Sequence, residues 1–187
     1  YASSSSIYGE QGRQRISEDF AACPLSPYAA SKLAAEEYCL TFHRFAKLDV
    51  VCLRYFNVYG PRQRRDPYSG VLTIFLDRLG KNWPPIIHGD GRQTRDFVNV
   101  QDIVRANMLA MTTKRAAGEV FNIGTGIATS ISELAKLIIE ANGKKNLHPT
   151  YASPRPGDVR HSCANIAKAR EMLGYSPNVN LKDYLHR

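Results

Sequence analysis

The chain has 187 residues, of which 43% are hydrophobic and 22% charged, and its formal net charge is +8. These proportions predict a globular protein with a buried core and exclude a disordered chain. No run of about 18 apolar residues occurs, and the first residues carry no basic leader. We therefore expect a cytoplasmic protein without a membrane partner.

The cysteines and histidines show no metal-binding spacing. Cys23, Cys39, Cys52 and Cys163 lie far apart and form no C-x-x-C motif, and the five histidines form no H-x-x-x-H motif. The sequence thus predicts reduced thiols and no metal centre.

The first predicted elements are a strand, a helix and a second strand. A short apolar start leads into serines at positions 3–6, which we interpret as the end of a strand. Ser26 suits an N-cap and Pro27 the first helical position, and no glycine or proline follows before Lys47. Residues 50–53 form a β-branched apolar run that predicts a buried strand.

An apolar stripe follows the predicted helix at helical spacing. It consists of Ala30, Ala34, Tyr38, Phe42 and Phe45. Such a stripe predicts that the helix packs against a sheet or a partner helix.

Tyr28 and Lys32 are four residues apart and therefore share one face of this helix. A cation beside a phenol favours the phenolate, so a tyrosine placed in this way can accept a proton from a substrate hydroxyl. A nearby serine can relay that proton. The spacing alone is weak evidence, because chance would produce such a pair about half the time and a lysine on a solvated helix face is equally consistent with it.

The rest of the chain alternates short helices and strands. Helices are predicted over 71–79, 100–111, 131–141 and 166–173, and strands near Ile86, Phe97 and Val120. The glycines at 124 and 126 predict a strand-to-helix turn rather than a phosphate cradle. Ser130 and Glu133 then form a capping box for the next helix.

The positive charge is concentrated at turns. Seven arginines adjoin glycine or proline turns: Arg62, Arg64, Arg65, Arg92, Arg95, Arg155 and Arg160. A guanidinium pairs two phosphate oxygens at once, so arginines that converge from several loops favour a diphosphate ligand. No helix carries a row of basic residues, and we expect no nucleic acid partner. Any single arginine is equally consistent with a solvated surface charge.

Six segments in order carry a resemblance: YASSSSIYG, SPYAASK, LRYFNVYGP, RDFVN, FNIGTG and RPGDVRHS. Together they resemble the extended short-chain dehydrogenase/reductase family, and within it the 4-epimerases of UDP-hexoses. The resemblance covers residues 1 to about 185. It implies an α/β fold, the end of a Rossmann-type doubly wound parallel sheet plus a smaller α/β substrate domain.

The same resemblance implies a division of the chain and a missing part. Residues 1–56 would complete the NAD-binding domain, and residues 57–187 would form mainly the substrate domain, with some segments returning to the sheet. The Gly-rich dinucleotide motif G-x-x-G-x-x-G is absent from the 187 residues. We therefore expect a carboxy-terminal fragment that lacks about 100 residues and is inactive alone.

The resemblance also implies the site, with NAD as cofactor and a UDP-sugar as substrate. Tyr28 would be the base, Ser4 the proton relay, and Lys32 the ligand of the nicotinamide ribose, with Phe56 against the nicotinamide. The implied substrate-binding residues are Ser5, Ser6, Asn57, Val71, His88, Arg95, Arg155, Asp158 and Ser162. A homodimer through the helix over 28–47 is implied as well.

Two other functions stay open. Another nucleotide-sugar dehydratase or reductase would use the same tyrosine and lysine, although relatives that dehydrate or decarboxylate carry acidic residues where this chain has Ser5 and Ser6. A non-catalytic fragment that dimerises through the helix is the second. Ser162 is small, and in the resembling epimerases a small residue there leaves room for an N-acetyl group.

Overall fold

The computed structural model describes residues 1–63, 70–155 and 157–186. Six α-helices are present among them: α1 (Pro27–Ala46), α2 (Val71–Gly80), α3 (Val100–Thr112), α4 (Ile131–Ala141), α5 (Ala167–Leu173) and α6 (Leu181–Leu185). The strands are β1 (Ala2–Ser4), β2 (Cys52–Tyr55), β3 (Asn57–Tyr59), β4 (Ile86–His88), β5 (Thr94–Arg95), β6 (Phe97–Asn99), β7 (Val120–Ile123), β8 (Thr129–Ser130) and β9 (Thr150–Ala152). Arg64 and Arg65, singled out above, lie outside the described residues.

A parallel sheet forms the first half of the fold. Its order is β1-β2-β7, with Ser4 opposite Tyr55 and Tyr55 opposite Ile123. Its strands are short and lie among buried apolar side chains, as parallel strands covered on both faces do. The strand predicted over 50–53 begins two residues later, because regular pairing with both neighbouring strands starts only at Cys52 and Leu53.

Helix α1 begins as its sequence predicts. The Ser26 hydroxyl accepts a hydrogen bond from Ala29 N at 3.1 Å, and Pro27 occupies the first turn. The helix ends where Lys47 adopts a left-handed conformation with φ of 55°.

The apolar stripe on α1 was predicted to pack against a sheet or a partner helix. It does not pack against the sheet, so that alternative is wrong. Tyr38, Phe42 and Phe45 are 71%, 53% and 89% exposed. The buried positions of α1 are Ala29 and Glu36 instead. The sheet therefore contacts a different face of α1, and the stripe faces outward.

The second half packs around helices α2 and α4. Its buried cluster includes Tyr59, Leu72, Phe75, Leu134 and Ile138. Three strand pairs surround it: β3 with β6 and β4 with β9 are parallel, and β5 with β8 is antiparallel. In the described part of the chain, no helix is both long and apolar enough to span a bilayer.

Candidate functional site

The serines after β1 form the first part of the site. The Ser4 hydroxyl accepts hydrogen bonds from Ser6 N at 3.2 Å and from the Ser6 hydroxyl at 2.9 Å. Ser4 thereby caps a short 3₁₀ helix, Ser5–Tyr8, that turns the chain away from the end of the strand. As a result, the three hydroxyls at positions 4–6 gather at the carboxyl end of β1, where parallel sheets place their ligands.

Tyr28 and Lys32 lie on one face of α1, as predicted. The Lys32 Nζ is 5.9 Å from the centroid of the Tyr28 ring, and it donates to Ala2 O in β1 at 3.0 Å. The lysine therefore ties the helix to the strand that ends at Ser4. Tyr28 is 57% exposed, and among the described residues no hydrogen bond joins it to Ser4.

A first cavity of about 210 Å³ lies between α2, β4 and the segment around Arg155. Its walls include six residues predicted to bind substrate: Asn57, Val71, His88, Arg95, Arg155 and Asp158. The His88 ring donates through Nδ1 to Ser153 O at 3.1 Å, because a carbonyl can only accept. This leaves Nε2 of His88 for the cavity.

A second cavity of about 260 Å³ adjoins the first. Its walls include Ser4, Ser5, Ser6, Phe56 and Ser162. Asn57, Arg95 and Asp158 line both cavities. The two cavities form one elongated site that extends from the serine-lined end of β1 to Arg95 and Arg155.

Arg95 supplies a largely buried positive charge at the junction of the cavities. Its guanidinium donates to Thr94 O at 2.8 Å and forms an ion pair with Asp158. Burial lowers the pKa of Arg95, and the Asp158 carboxylate opposes that effect. The charge of an arginine persists in proteins, so Arg95 and Arg155 make the first cavity and its junction with the second attractive to an anion.

The segment after Arg155 is fastened to the loop between β4 and β5. Arg160 pairs with Asp90 through two hydrogen bonds of 2.8 and 2.7 Å, and Arg160 N donates to Glu10. The hydrogen bonds that the Asp90 carboxylate accepts, from Arg160 first and then from Arg92 N, lower its pKa to about 2. Asp158 and Ser162, on either side of Arg160, are thereby held against the cavities.

The glycines at 124 and 126 lie in a turn after β7, as the sequence predicts, but the turn leads into the short strand β8 before helix α4 begins. The Asp96 side chain fills this turn. The Asp96 carboxylate accepts from Thr125 N at 2.8 Å, the Thr125 hydroxyl at 2.6 Å, Gly126 N at 2.8 Å and Ala164 N at 3.1 Å. A Cβ on Gly124 would lie 2.7 Å from Asp96 Oδ2, so only glycine fits. The amides of the turn are occupied by Asp96 and are not free to hold a phosphate.

The structure brings most of the predicted site residues together, with two exceptions. Tyr28 and Lys32 line neither cavity and lie beside β1 on α1. The sequence interpretation missed several wall residues: Gly9, Tyr55, Ile74, Phe75, Ile86, Gln93 and Ile131. The apolar face of α2 and the strand at Ile86 were visible signals for the apolar members of this set. Among the described residues, no three His, Cys, Asp or Glu side chains are grouped to hold a metal ion.

A tyrosine and a lysine one helical turn apart, beside a parallel strand that ends in serines, agree with the extended short-chain dehydrogenase/reductase class, and the comparison with known families shows the relationship. The family model described as GDP-mannose 4,6 dehydratase matches residues 1–187. The chain belongs to this family.

Three known proteins illustrate the relationship. A putative UDP-glucose 4-epimerase of Methanocaldococcus jannaschii is 41% identical over 186 residues, which cover 100% of this chain to the nearest per cent and 59% of that protein. The crystal structure of a UDP-glucose 4-epimerase from Thermotoga maritima with UDP-glucose has a TM-score of 0.91 and 43% identity, covering 99% of this chain and 60% of that one. A UDP-glucuronic acid 4-epimerase from Bacillus cereus, solved with UDP-glucuronic acid and NAD, gives a TM-score of 0.87 and 38% identity, covering 98% and 57%. The chain thus spans under two thirds of these relatives.

Proposed function

We propose that the whole protein to which this chain belongs is an NAD-dependent 4-epimerase of a UDP-hexose or UDP-N-acetylhexosamine, acting through a 4-keto sugar. The observation that carries the proposal is the elongated site, which joins the Ser4–Ser6 hydroxyls to the Arg95 and Arg155 guanidinium groups. A nucleotide sugar has the matching shape, with hydroxyls at one end and a diphosphate in its middle. The proteins named above as epimerases of UDP-sugars support the choice of substrate.

In this proposal Tyr28 removes the proton from O4 of the sugar and later returns it. The phenol is exposed on α1, and the Lys32 Nζ lies 5.9 Å from the centroid of its ring. Ser4 bridges the phenol and O4. The Ser6 hydroxyl orients the Ser4 hydroxyl by donating a hydrogen bond to it. Ser5 contributes a further hydroxyl to the same wall.

The residues around the carboxyl ends of β1 and β2 fit NAD. The Lys32 ammonium has three donors and uses one on Ala2 O, which leaves two for the ribose hydroxyls of the cofactor. Phe56 offers an apolar wall to the nicotinamide. When bound, NAD supplies the acceptor and donor of the C4 hydride.

In this proposal the diphosphate lies near the junction of the two cavities, and the nucleoside lies at the far end of the first cavity. Arg95 and Arg155 pair with phosphate oxygens, and Asn57 donates to the diphosphate. Val71 and His88 line the nucleoside portion, and Asp158, which pairs with Arg95, accepts hydrogen bonds from substrate hydroxyls. Ser162 leaves room beside C2 of the hexose for an N-acetyl group.

Two further parts of the proposal concern assembly. The outward-facing stripe of Tyr38, Phe42 and Phe45 is the dimer interface, because an apolar helix face of this kind is covered in a stable protein. Residues 1–56 belong mainly to the cofactor domain and residues 57–187 mainly to the substrate domain. The separate buried cluster around α2 and α4 supports this division.

Product analysis with the full-length protein tests the proposed function. UDP-glucose, UDP-galactose and their N-acetyl forms are incubated with the purified protein, and the sugars released after hydrolysis are separated. An epimerase interconverts one pair at C4. A dehydratase yields a stable 4-keto-6-deoxy sugar instead, and that product would replace the proposal.

A further inference from the structure

A buried charged pair connects the helix that carries Tyr28 to the central sheet. Glu36 lies one turn after Lys32 on α1 and is fully buried. Arg54 on β2 donates to its carboxylate through Nε at 3.2 Å and through Nη2 at 2.6 Å. Hydrogen bonds to Glu36 and Tyr8 outweigh the opposing effect of burial and raise the pKa of Arg54.

The same guanidinium reaches the segment that begins at Ser4. Arg54 Nη1 donates to the Tyr8 hydroxyl at 2.7 Å, and the guanidinium carbon lies 4.9 Å from the centroid of the Tyr8 ring. Tyr8 ends the 3₁₀ helix that Ser4 caps. The Tyr8 hydroxyl in turn donates to Asn122 Oδ1 on β7 at 2.8 Å. One network of hydrogen bonds therefore joins α1, β2, the serine segment and β7.

Stability alone does not account for such a network. Two charges must be removed from water to form it, and an apolar pair of similar volume at a buried site is often as stable or more stable. A bidentate guanidinium–carboxylate pair instead fixes distance and orientation, because its two parallel hydrogen bonds admit one geometry. Among the elements it joins, α1 carries Tyr28 and Lys32, the 3₁₀ helix is capped by Ser4, and β2 ends one residue before Phe56.

We propose that Glu36 and Arg54 are positioning residues, which hold the Tyr28–Lys32 face of α1 in register with the Ser4 hydroxyl. This inference rests on the proposed function, since it assumes that Tyr28 and Ser4 act on the same substrate atom. Neither Glu36 nor Arg54 lines a cavity, so they act through the elements they join.

The test compares single and double variants of the full-length protein. Glu36→Leu and Arg54→Met each leave one buried charge unpaired and are expected to lower the urea midpoint of unfolding. The double variant removes both charges and is expected to return the midpoint close to that of the wild type. Its kcat is expected to stay about 10²-fold below wild type with KM little changed, because misplacement of a reacting group by about 1 Å has that effect. Wild-type kcat in the double variant would overturn the proposal.

Arg54→Lys keeps the positive charge but loses the planar group that donates two parallel hydrogen bonds. If the double variant does not fold, this variant tests the positioning role instead. It is expected to lower kcat with an unchanged KM, and wild-type kcat in this variant would equally overturn the proposal. Asp102→Asn is the matched control, because Asp102 is another fully buried carboxylate paired with an arginine, Arg105, on α3. It is expected to lower the urea midpoint while leaving kcat unchanged.

A readout without turnover separates this inference from the proposed function. If the wild type epimerises no UDP-sugar, the proposed function fails, and hydrogen exchange becomes the deciding measurement. The amides of residues 27–34 are expected to exchange faster in the double variant than in the wild type at equal global stability. Unchanged exchange there would overturn the positioning role.

Discussion

Tyr28 is the residue on which the proposed proton transfer depends most directly. Tyr28→Phe in the full-length protein removes the hydroxyl but keeps the ring, so substrate binding is expected to persist while kcat falls by about 10²–10⁴-fold. Steady-state kinetics and a UDP-binding titration measure the two effects. Tyr38→Phe is the control, because Tyr38 is an exposed tyrosine on the same helix, and wild-type turnover is expected. Wild-type turnover in Tyr28→Phe would contradict the mechanism.

A substitution at Ser162 tests which sugars the protein accepts. The residue is 8% exposed and lines the second cavity with Ser4 and Phe56. Ser162→Tyr adds a ring that overlaps an N-acetyl group, so kcat/KM for UDP-N-acetylglucosamine is expected to collapse while that for UDP-galactose is largely preserved. Ser162→Ala keeps the space and is expected to preserve both. An unchanged ratio of the two kcat/KM values in Ser162→Tyr would remove Ser162 from the specificity argument.

Asp90 gives a pH-dependent contribution to stability. Its pKa is about 2 in the folded chain against an ordinary value of 3.8, so the folded state binds fewer protons near pH 3. The stabilisation is present above about pH 4 and is lost as the pH falls towards 2. The urea midpoint of the wild type is expected to exceed that of Asp90→Asn at pH 6, and the difference is expected to shrink below pH 4.

Salt provides the control for this prediction. The pair is exposed, so its contribution is modest and about 1 M salt is expected to reduce the difference at pH 6. A difference independent of both pH and salt would mean that the Asp90–Arg160 pair is not its source.

Helix α1 has a buried face and an exposed apolar face. One face contacts the sheet through Ala29 and Glu36, and the outward face carries Tyr38 and Phe42. Tyr38→Glu combined with Phe42→Glu places two charges in the proposed interface, and the full-length protein is expected to become monomeric in analytical ultracentrifugation. Trp83→Glu, at an exposed aromatic residue beyond α2, is the control and should leave the oligomeric state unchanged. A wild-type protein that is already monomeric would refute the proposed interface.

The elements themselves were predicted well from local signals. Ser26 and Ser130 accept the hydrogen bonds of N-caps at α1 and α4, so the sequence located both starts. Such signals depend only on neighbouring residues. The face of α1 that packs was predicted less well, because the apolar stripe is more hydrophobic than the face that the sheet covers.

In the whole molecule, the sequence predicted which residues line the two cavities better than it predicted how the fold supports them. Arg95 and Arg155 were expected to converge, and they line one cavity. The burial of Glu36 and Arg54 could not be foreseen, because charged residues ordinarily lie at the surface and only tertiary contact pairs a helix residue with a strand residue. Gln93 was missed for a similar reason, since its place in the cavity wall depends on how β4 and β5 approach α4.

The isolated chain is expected to be inactive. Its 187 residues contain no Gly-rich dinucleotide motif, so the adenosine and pyrophosphate of NAD lack a helix-terminus site. In the described sheet β1 is an edge strand, and an exposed edge promotes aggregation. Turnover and light scattering of the purified chain, with its mass confirmed, measure both effects, and the full-length protein is the control. NAD-dependent turnover by the chain alone would refute the expectation.

The contact between Asp96 and Gly124 restricts how this family member can change over evolutionary time. A side chain at position 124 collides with the carboxylate, and loss of the carboxylate leaves the amides of Thr125 and Gly126 unpaired in the interior. A lineage that accumulates one substitution at a time therefore meets an obstacle at whichever of the two positions it changes first. We therefore expect a substitution at either residue to be accepted only with a compensating change at the other, and to displace Arg95, the neighbour of that aspartate, from its place at the cavity.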